Sequence, residues 1–296
     1  MKELNGFLNY LEYEKRYSAH TISAYEIDLN QFFEYISEQY QIINTLDVNE
    51  QIIRSWLAQL IDEGLNPKSV NRKISSVKSF FKYLIRNGII KINPSVQIQG
   101  PKQNKRLPSF VEEVKMDELL AMDNEKDTFE SSRDQLILEL FYTTGMRRAE
   151  LIGLKTADIN FAQNQMKVLG KRNKERILPF SDEVKIKIDL YIIKRNEEVK
   201  DASSQEFLFI TKKAKKLYPK LVYRIVNSYL SKVSTQDKKS PHVLRHTFAT
   251  HMLNNGADLN AVKELLGHTS LAATQIYTHN TIEKLKKVYK QAHPKA

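Results

Sequence analysis

The chain has 296 residues, 41% of them hydrophobic, and a formal net charge of +11 at pH 7. That length holds one large domain or two of ordinary size, and no apolar run approaches the roughly 20 residues of a membrane span. Cysteine is absent, which excludes disulfides and thiolate metal sites, while the basic balance favours a polyanionic partner, nucleic acid before a membrane surface. Met1-Lys2-Glu3-Leu4-Asn5 opens without the apolar segment of a signal peptide, so the expected location is the cytoplasm.

Taken in order, the elements are mostly helical. Ile22, Tyr25, Leu29, Phe32, Phe33 and Ile36 recur at helical spacing after Ser18, an N-cap residue. Val48, Ile52, Trp56, Leu57 and Leu60 outline a second helix. Asn66-Pro67 opens a long third one, with Asn66 as cap and Pro67 in the first turn. Its buried stripe reads Val70, Ile74, Val77, Phe81, Leu84. The other side carries Lys68, Arg72, Lys73, Ser75, Ser76 and Ser79, which suit phosphates or base edges as well as they suit plain solvent.

From Asn93-Pro94 to Pro108 the pattern lapses. Three prolines, Gly100 and the cations Lys102, Lys105 and Arg106 read as a linker. The expected domains are residues 1–100 and 109–296, joined by 101–108. The second domain begins with helical segments around Met116–Ala121 and Arg133–Tyr142, and Thr144-Gly145-Met146 breaks the pattern before Arg147 starts a new helix. Gln165–Leu169 and Arg176–Pro179 read as a β-hairpin whose cationic tip has Lys171 at its base. Ser240-Pro241 opens another helix, closed by Asn255-Gly256, with His242 and Arg245 on one face and Leu244, Phe248 and Met252 on a buried stripe. Asp258 caps a further helix that packs Leu259, Val262, Leu265 and Leu266 inward and stops at Gly267, with His268 at its end. Ser270 restarts a helix carrying Tyr277, and Ile282, Leu285, Val288 and Tyr289 continue at near-helical spacing as an exposed apolar stripe suited to a neighbouring subunit.

The last third is dense in reactive groups. A phenol, imidazoles and a guanidinium on short stretches suit attack on a phosphodiester, which needs a nucleophile that can hold a phosphoryl group and cations for its oxygens. A zinc site of His242, His246, His251 and His268 is disfavoured, since no His-Glu-x-x-His pair or Cys exists and Arg245 is interleaved. No Gly-x-Ser-x-Gly elbow of a serine hydrolase occurs either.

Five ordered blocks resemble the signature of tyrosine recombinases, the phage integrase family. They are Gly145-Met146-Arg147-Arg148-Ala149-Glu150-Leu151, Gly170-Lys171, His242-Val243-Leu244-Arg245-His246, Leu266-Gly267-His268 and Thr274-Gln275-Ile276-Tyr277. The tail Ala292-His293-Pro294-Lys295-Ala296 is similar to the Xer branch, and Tyr17 through Tyr25 to the family's DNA-clamping domain. Arg172 stands where Xer proteins often have Gly, and Arg148 duplicates the first arginine; Arg147 matches by lying three before Glu150.

The resemblance implies a mainly α fold, with a small helical, SAM-like DNA-binding domain and a mostly helical catalytic domain containing a small antiparallel sheet. It implies a site-specific recombinase in which Tyr277 forms a 3′-phosphotyrosine, Arg147 and Arg245 clamp the phosphate, and Lys171 protonates the leaving 5′-oxygen. His242 assists proton transfer and His268 binds the phosphate, with Glu150 supporting the first arginine. No cofactor or metal is implied. The implied partners are double-stranded DNA, a homo- or hetero-tetramer with a paralogue, and an activating DNA translocase. Resolution of chromosome or plasmid dimers near the nucleoid is the implied role; an integrase of a mobile element is the alternative.

Overall fold

The computed structural model describes residues 2–42, 44–102, 109–122, 128–170, 174–202, 205–235, 238–267 and 279–295. Lys171, His268 and Tyr277 lie outside this set, as do the helix start at Ser270 and most of the linker. The chain forms two compact units, Met1–Arg106 and Leu107–Ala296. Among the described residues no helix is long and apolar enough to cross a membrane.

Among the described residues the regular elements of the N-terminal unit are helices: α1 (Lys2–Asn9, continued by a π turn), α2 (Ala19–Tyr40), α3 (Glu50–Asp62) and α4 (Pro67–Arg86). Three helix starts are closed by side chains that accept orphan backbone N–H groups: Ser18 from Thr21, Asn49 from Ile52 and Asn66 from Ser69. Leu29, Phe32, Trp56, Val70, Val77, Phe81 and Leu84 form the core, with Phe80 alongside, edge-on to Phe7 at 5.6 Å.

The polar side of α4 is not uniformly open. Lys68, Arg72 and Ser75 face solvent, but Lys73 and Ser76 are buried. Both donate to Asp28 of α2, at 3.1 and 2.9 Å, and Arg72 donates to the same carboxylate. Lys73 and Ser76 are therefore corrected from candidate DNA contacts to an internal tie between α2 and α4. A buried aspartate draws cations inward because an unpaired charge costs far more than the pairing.

In the C-terminal unit, α5 (Glu113–Ala121) precedes the central α6 (Phe129–Thr144), which is buried on every side from Leu136 to Thr144. The short α7 (Arg148–Gly153) leads into a three-stranded antiparallel sheet, β1 (Ile159–Asn160), β2 (Gln165–Leu169) and β3 (Glu175–Pro179), in that order, with Val168 opposite Arg176. Then follow α8 (Asp182–Glu198), α9 (Pro219–Val233), α10 (Pro241–Asn254), α11 (Leu259–Leu266) and α12 (His279–Ala292). The mainly α architecture with a small antiparallel sheet matches expectation. Helices α1, α8 and α9 have no counterpart among the expected elements. In α8, apolar residues lie on both sides, Val184, Ile188 and Tyr191 buried and Ile186, Leu190 and Ile193 exposed, which blurs the helical period.

Two details differ at the end of the chain. Leu259, expected inside, is exposed on the first turn of α11. The stripe on α12 is not left for a neighbour: Leu285, Tyr289 and Ala292 are buried in the core of their own unit, where α12 packs on α10, α11 and β3. His293 extends this docking by a 3.1 Å hydrogen bond between Nε2 and the Tyr142 carbonyl, and by stacking on Tyr289. The described part of the apolar face, Leu285 and Tyr289 with Val288 partly buried beside them, is thus covered within the same chain.

Candidate active site

The site begins where α6 ends. Gly145 takes φ +60°, and a Cβ there would meet Phe248 at 2.4 Å, so both the turn and the packing require glycine. The turn delivers Arg147 as the N-cap of α7, one position earlier than a residue inside the helix. Glu150, in the first turn, accepts from the Arg147 backbone N–H at 2.6 Å and from its guanidinium Nη1 at 2.7 Å.

Helix α10 brings in the second arginine. Arg245 is buried and donates Nη1 to the Gly145 carbonyl and Nη2 to the Leu266 carbonyl, both at 2.6 Å. Arg147 Nη2 donates to the Gly267 carbonyl at 2.9 Å. Both guanidiniums are thus seated on carbonyls that the ends of α6 and α11 leave without helical partners, where the helix dipole adds partial negative charge. Burial lowers the pKa of Arg245 to about 10, with the charges of Arg147 and Arg176 adding to the effect. It remains protonated at neutral pH.

Arg176 is the residue that motif reading missed. It lies on the inward face of β3, between exposed Glu175 and half-buried Ile177, and its Nη1 and Nη2 grip Glu150 at 2.7 and 2.8 Å. Strand alternation was the available signal, because Arg176 shares a face with buried Leu178. Burial by itself would raise the pKa of Glu150, but hydrogen bonds and charge from Arg176, with those from Arg147, hold it at about 2. Glu150 is therefore a fixed anion rather than a proton carrier.

His242 sits on the first turn of α10 at the rim of this cluster. Partial burial and the neighbouring charges of Arg148, Arg245 and Arg147 lower its pKa, so the imidazole is neutral at pH 7 and able to accept a proton. His251 is structural: it is buried and hydrogen-bonded through Nδ1 to the Tyr142 hydroxyl at 3.0 Å. No group of three or more His, Asp or Glu side chains fit to hold a metal occurs among the described residues. Of the six expected catalytic residues, Arg147, His242 and Arg245 are brought together. Lys171, His268 and Tyr277 lie outside the described residues.

Residues 109–284 match the model of the phage integrase family, and residues 4–88 that of the phage integrase N-terminal SAM-like domain. The chain belongs to the phage integrase family. This recombinase is 38% identical to tyrosine recombinase XerC of Chlorobaculum tepidum, over 99% of its own length and 94% of that protein's. It is 40% identical to tyrosine recombinase XerC of Staphylococcus aureus strain MRSA252, over 98% and 96%. Its fold is similar to that of a XerH site-specific recombinase bound to palindromic difH substrate in a post-cleavage complex, with a TM-score of 0.72, 24% identity, and coverage of 90% of this chain and 78% of that one. The recombinase is a tyrosine-type DNA strand-transfer enzyme of Xer kind.

Proposed function

We propose that Tyr277 attacks a DNA phosphate, forming a phosphotyrosine at the 3′ end and releasing a 5′-hydroxyl, and that attack by a 5′-hydroxyl of another strand reverses the step. One ester replaces another, so the bond energy is retained and no external energy source is required. Tyrosine's ordinary pKa of about 10 calls for a proton acceptor or a strong positive field near neutral pH. Neutral His242 serves as acceptor, and Lys171 delivers a proton to the leaving 5′-oxygen. Arg147, Arg245 and His268 bind the non-bridging oxygens.

One observation carries this reading. Three guanidiniums, of Arg147, Arg176 and Arg245, gather around a single carboxylate, Glu150, among the described residues. The surplus of two positive charges suits a phosphoryl transition state, in which a singly charged diester gains a second negative charge as the nucleophile adds. Arginine also offers paired donors that suit two phosphate oxygens.

The near full-length match to XerC proteins supports resolution of chromosome or plasmid dimers at cell division, in the cytoplasm beside the nucleoid. In this reading the recombinase works as a homo- or hetero-tetramer with a paralogue on two synapsed duplexes, triggered by a DNA translocase. The test is Tyr277→Phe on a nicked suicide substrate: no covalent protein–DNA adduct should form, while duplex binding stays near the parental level. A full yield of adduct would remove Tyr277 from the mechanism.

A further inference from the structure

We infer that Arg176 is a positioning residue for strand cleavage, a single buried guanidinium that ties the first arginine, the lysine-bearing hairpin and the end of α11 into one arrangement. The inference rests on the functional reading above. Four contacts carry it. Nη1 and Nη2 hold both oxygens of Glu150, whose own contacts orient Arg147. Nε donates to the Leu265 carbonyl at 2.7 Å, on the last turn of α11.

The remaining two contacts are close approaches at glycines. A Cβ on Gly267, the residue before His268, would lie 3.2 Å from Arg176 Cδ and 3.3 Å from Nη1, and the backbone there has φ +64°. A Cβ on Gly170, the residue before Lys171, would lie 3.4 Å from Glu150 Oε1 and 3.6 Å from Arg176 Nη1. The Arg176–Glu150 pair is thus the surface on which the chain is laid immediately before two of the proposed catalytic residues. Three successive carbonyls at the end of α11 and its cap, of Leu265, Leu266 and Gly267, accept from Arg176, Arg245 and Arg147 in turn. Arg176 touches no atom of the substrate in this scheme; it acts by holding groups that do.

Loss of such a tie resembles a small misplacement of reacting groups, which costs about a hundredfold in rate. It also has a pH signature. Glu150 is kept ionised mainly by Arg176 against the effect of burial. Without that guanidinium it retains only the two Arg147 contacts and takes up a proton at a higher pH, releasing Arg147 as it does so.

The experiment follows single-turnover cleavage of a suicide substrate by the full chain between pH 5 and 8, with half-site binding measured in parallel. Arg176→Met should bind the half-site at the parental level and cleave about a hundredfold more slowly. Its rate should fall more steeply towards pH 5 than the parent's, whose own fall reflects protonation of His242, and adding Glu150→Gln should abolish that extra dependence. Cleavage at the parental rate, or a uniformly slower rate with the parental pH profile, overturns the proposal. Should Arg176→Met not fold, Arg176→Lys decides, because it keeps a cation opposite Glu150. An ammonium lacks the planar fork that meets both Glu150 oxygens and the Leu265 carbonyl at once, so slow cleavage with intact binding supports the tie and parental cleavage overturns it. Tyr277→Phe on the same substrate separates the two ideas: adduct from that variant sinks the functional reading, whatever Arg176 does.

Discussion

Asp28 offers the sharpest test of how the N-terminal unit is held together. Its fully buried carboxylate accepts from Lys73 Nζ at 3.1 Å, from Ser76 Oγ at 2.9 Å and from Arg72. Asp28→Ala removes all three partners' acceptor and leaves the Lys73 ammonium, whose side chain is only 6% exposed, without a counter-charge and with only the neutral Gln31 Oε1 to accept from it. Arg72 is half exposed and regains hydration, so the stranded lysine dominates. Breaking a buried ion pair from one side costs about 3–5 kcal/mol. At about 4–8 °C per kcal/mol for a unit of this size, the midpoint should fall by at least about 12 °C. The assay is unusually selective, because the chain's single tryptophan, Trp56, is buried in this unit and its fluorescence reports that unit's unfolding. Asp28→Leu combined with Lys73→Met should recover most of the loss, since exchanging a whole buried pair for apolar groups is often neutral. A midpoint shift below about 4 °C for Asp28→Ala would refute the reasoning. So would a double variant as unstable as the single one, because the defect would then be packing rather than a stranded charge.

Lys171→Ala should cleave ordinary DNA slowly yet be largely rescued when sulfur replaces the scissile 5′-bridging oxygen, since thiols ionise near pH 8.5 and leave without a proton, about which alkoxides have no choice; Arg147→Ala should show no such rescue. If sulfur instead rescues Lys174→Ala and leaves Lys171→Ala inactive, the general acid is the other lysine. Burial holds His293 at a pKa of about 4, below the ordinary 6.5, so between these values the unfolded chain binds a proton that the folded chain refuses. Its contribution is complete above pH 6.5 and is lost as pH falls towards 4; at pH 5 the C-terminal unit should have lost about 2 kcal/mol. His293→Phe should remove this part of the pH dependence in thermal unfolding followed by circular dichroism, and identical pH dependence in parent and variant would refute it.

Much of this protein was readable one segment at a time. The stripes of α2, α3 and α4, the caps Ser18 and Asn66, the β2–β3 hairpin, and the glycines that end α6 and α11 all follow from interactions between residues a few positions apart. Arg147, His242 and Arg245, which the structure brings together, were singled out for another reason, since the proposed chemistry calls for particular residue types in a particular order. What the sequence left open involves partners far apart in the chain. Asp28 takes Lys73 out of solvent across 45 positions, and Arg176 reaches Glu150 across 26 and the Leu265 carbonyl across 89. Leu285 and Tyr289 of the α12 stripe have the pattern of a surface for another subunit, yet α10, α11 and β3 cover them. A charged or amphipathic residue has the same local signature whether it ends in water or in a core. Only the tertiary fold decides, because the cost of burial is set by the partner it meets there.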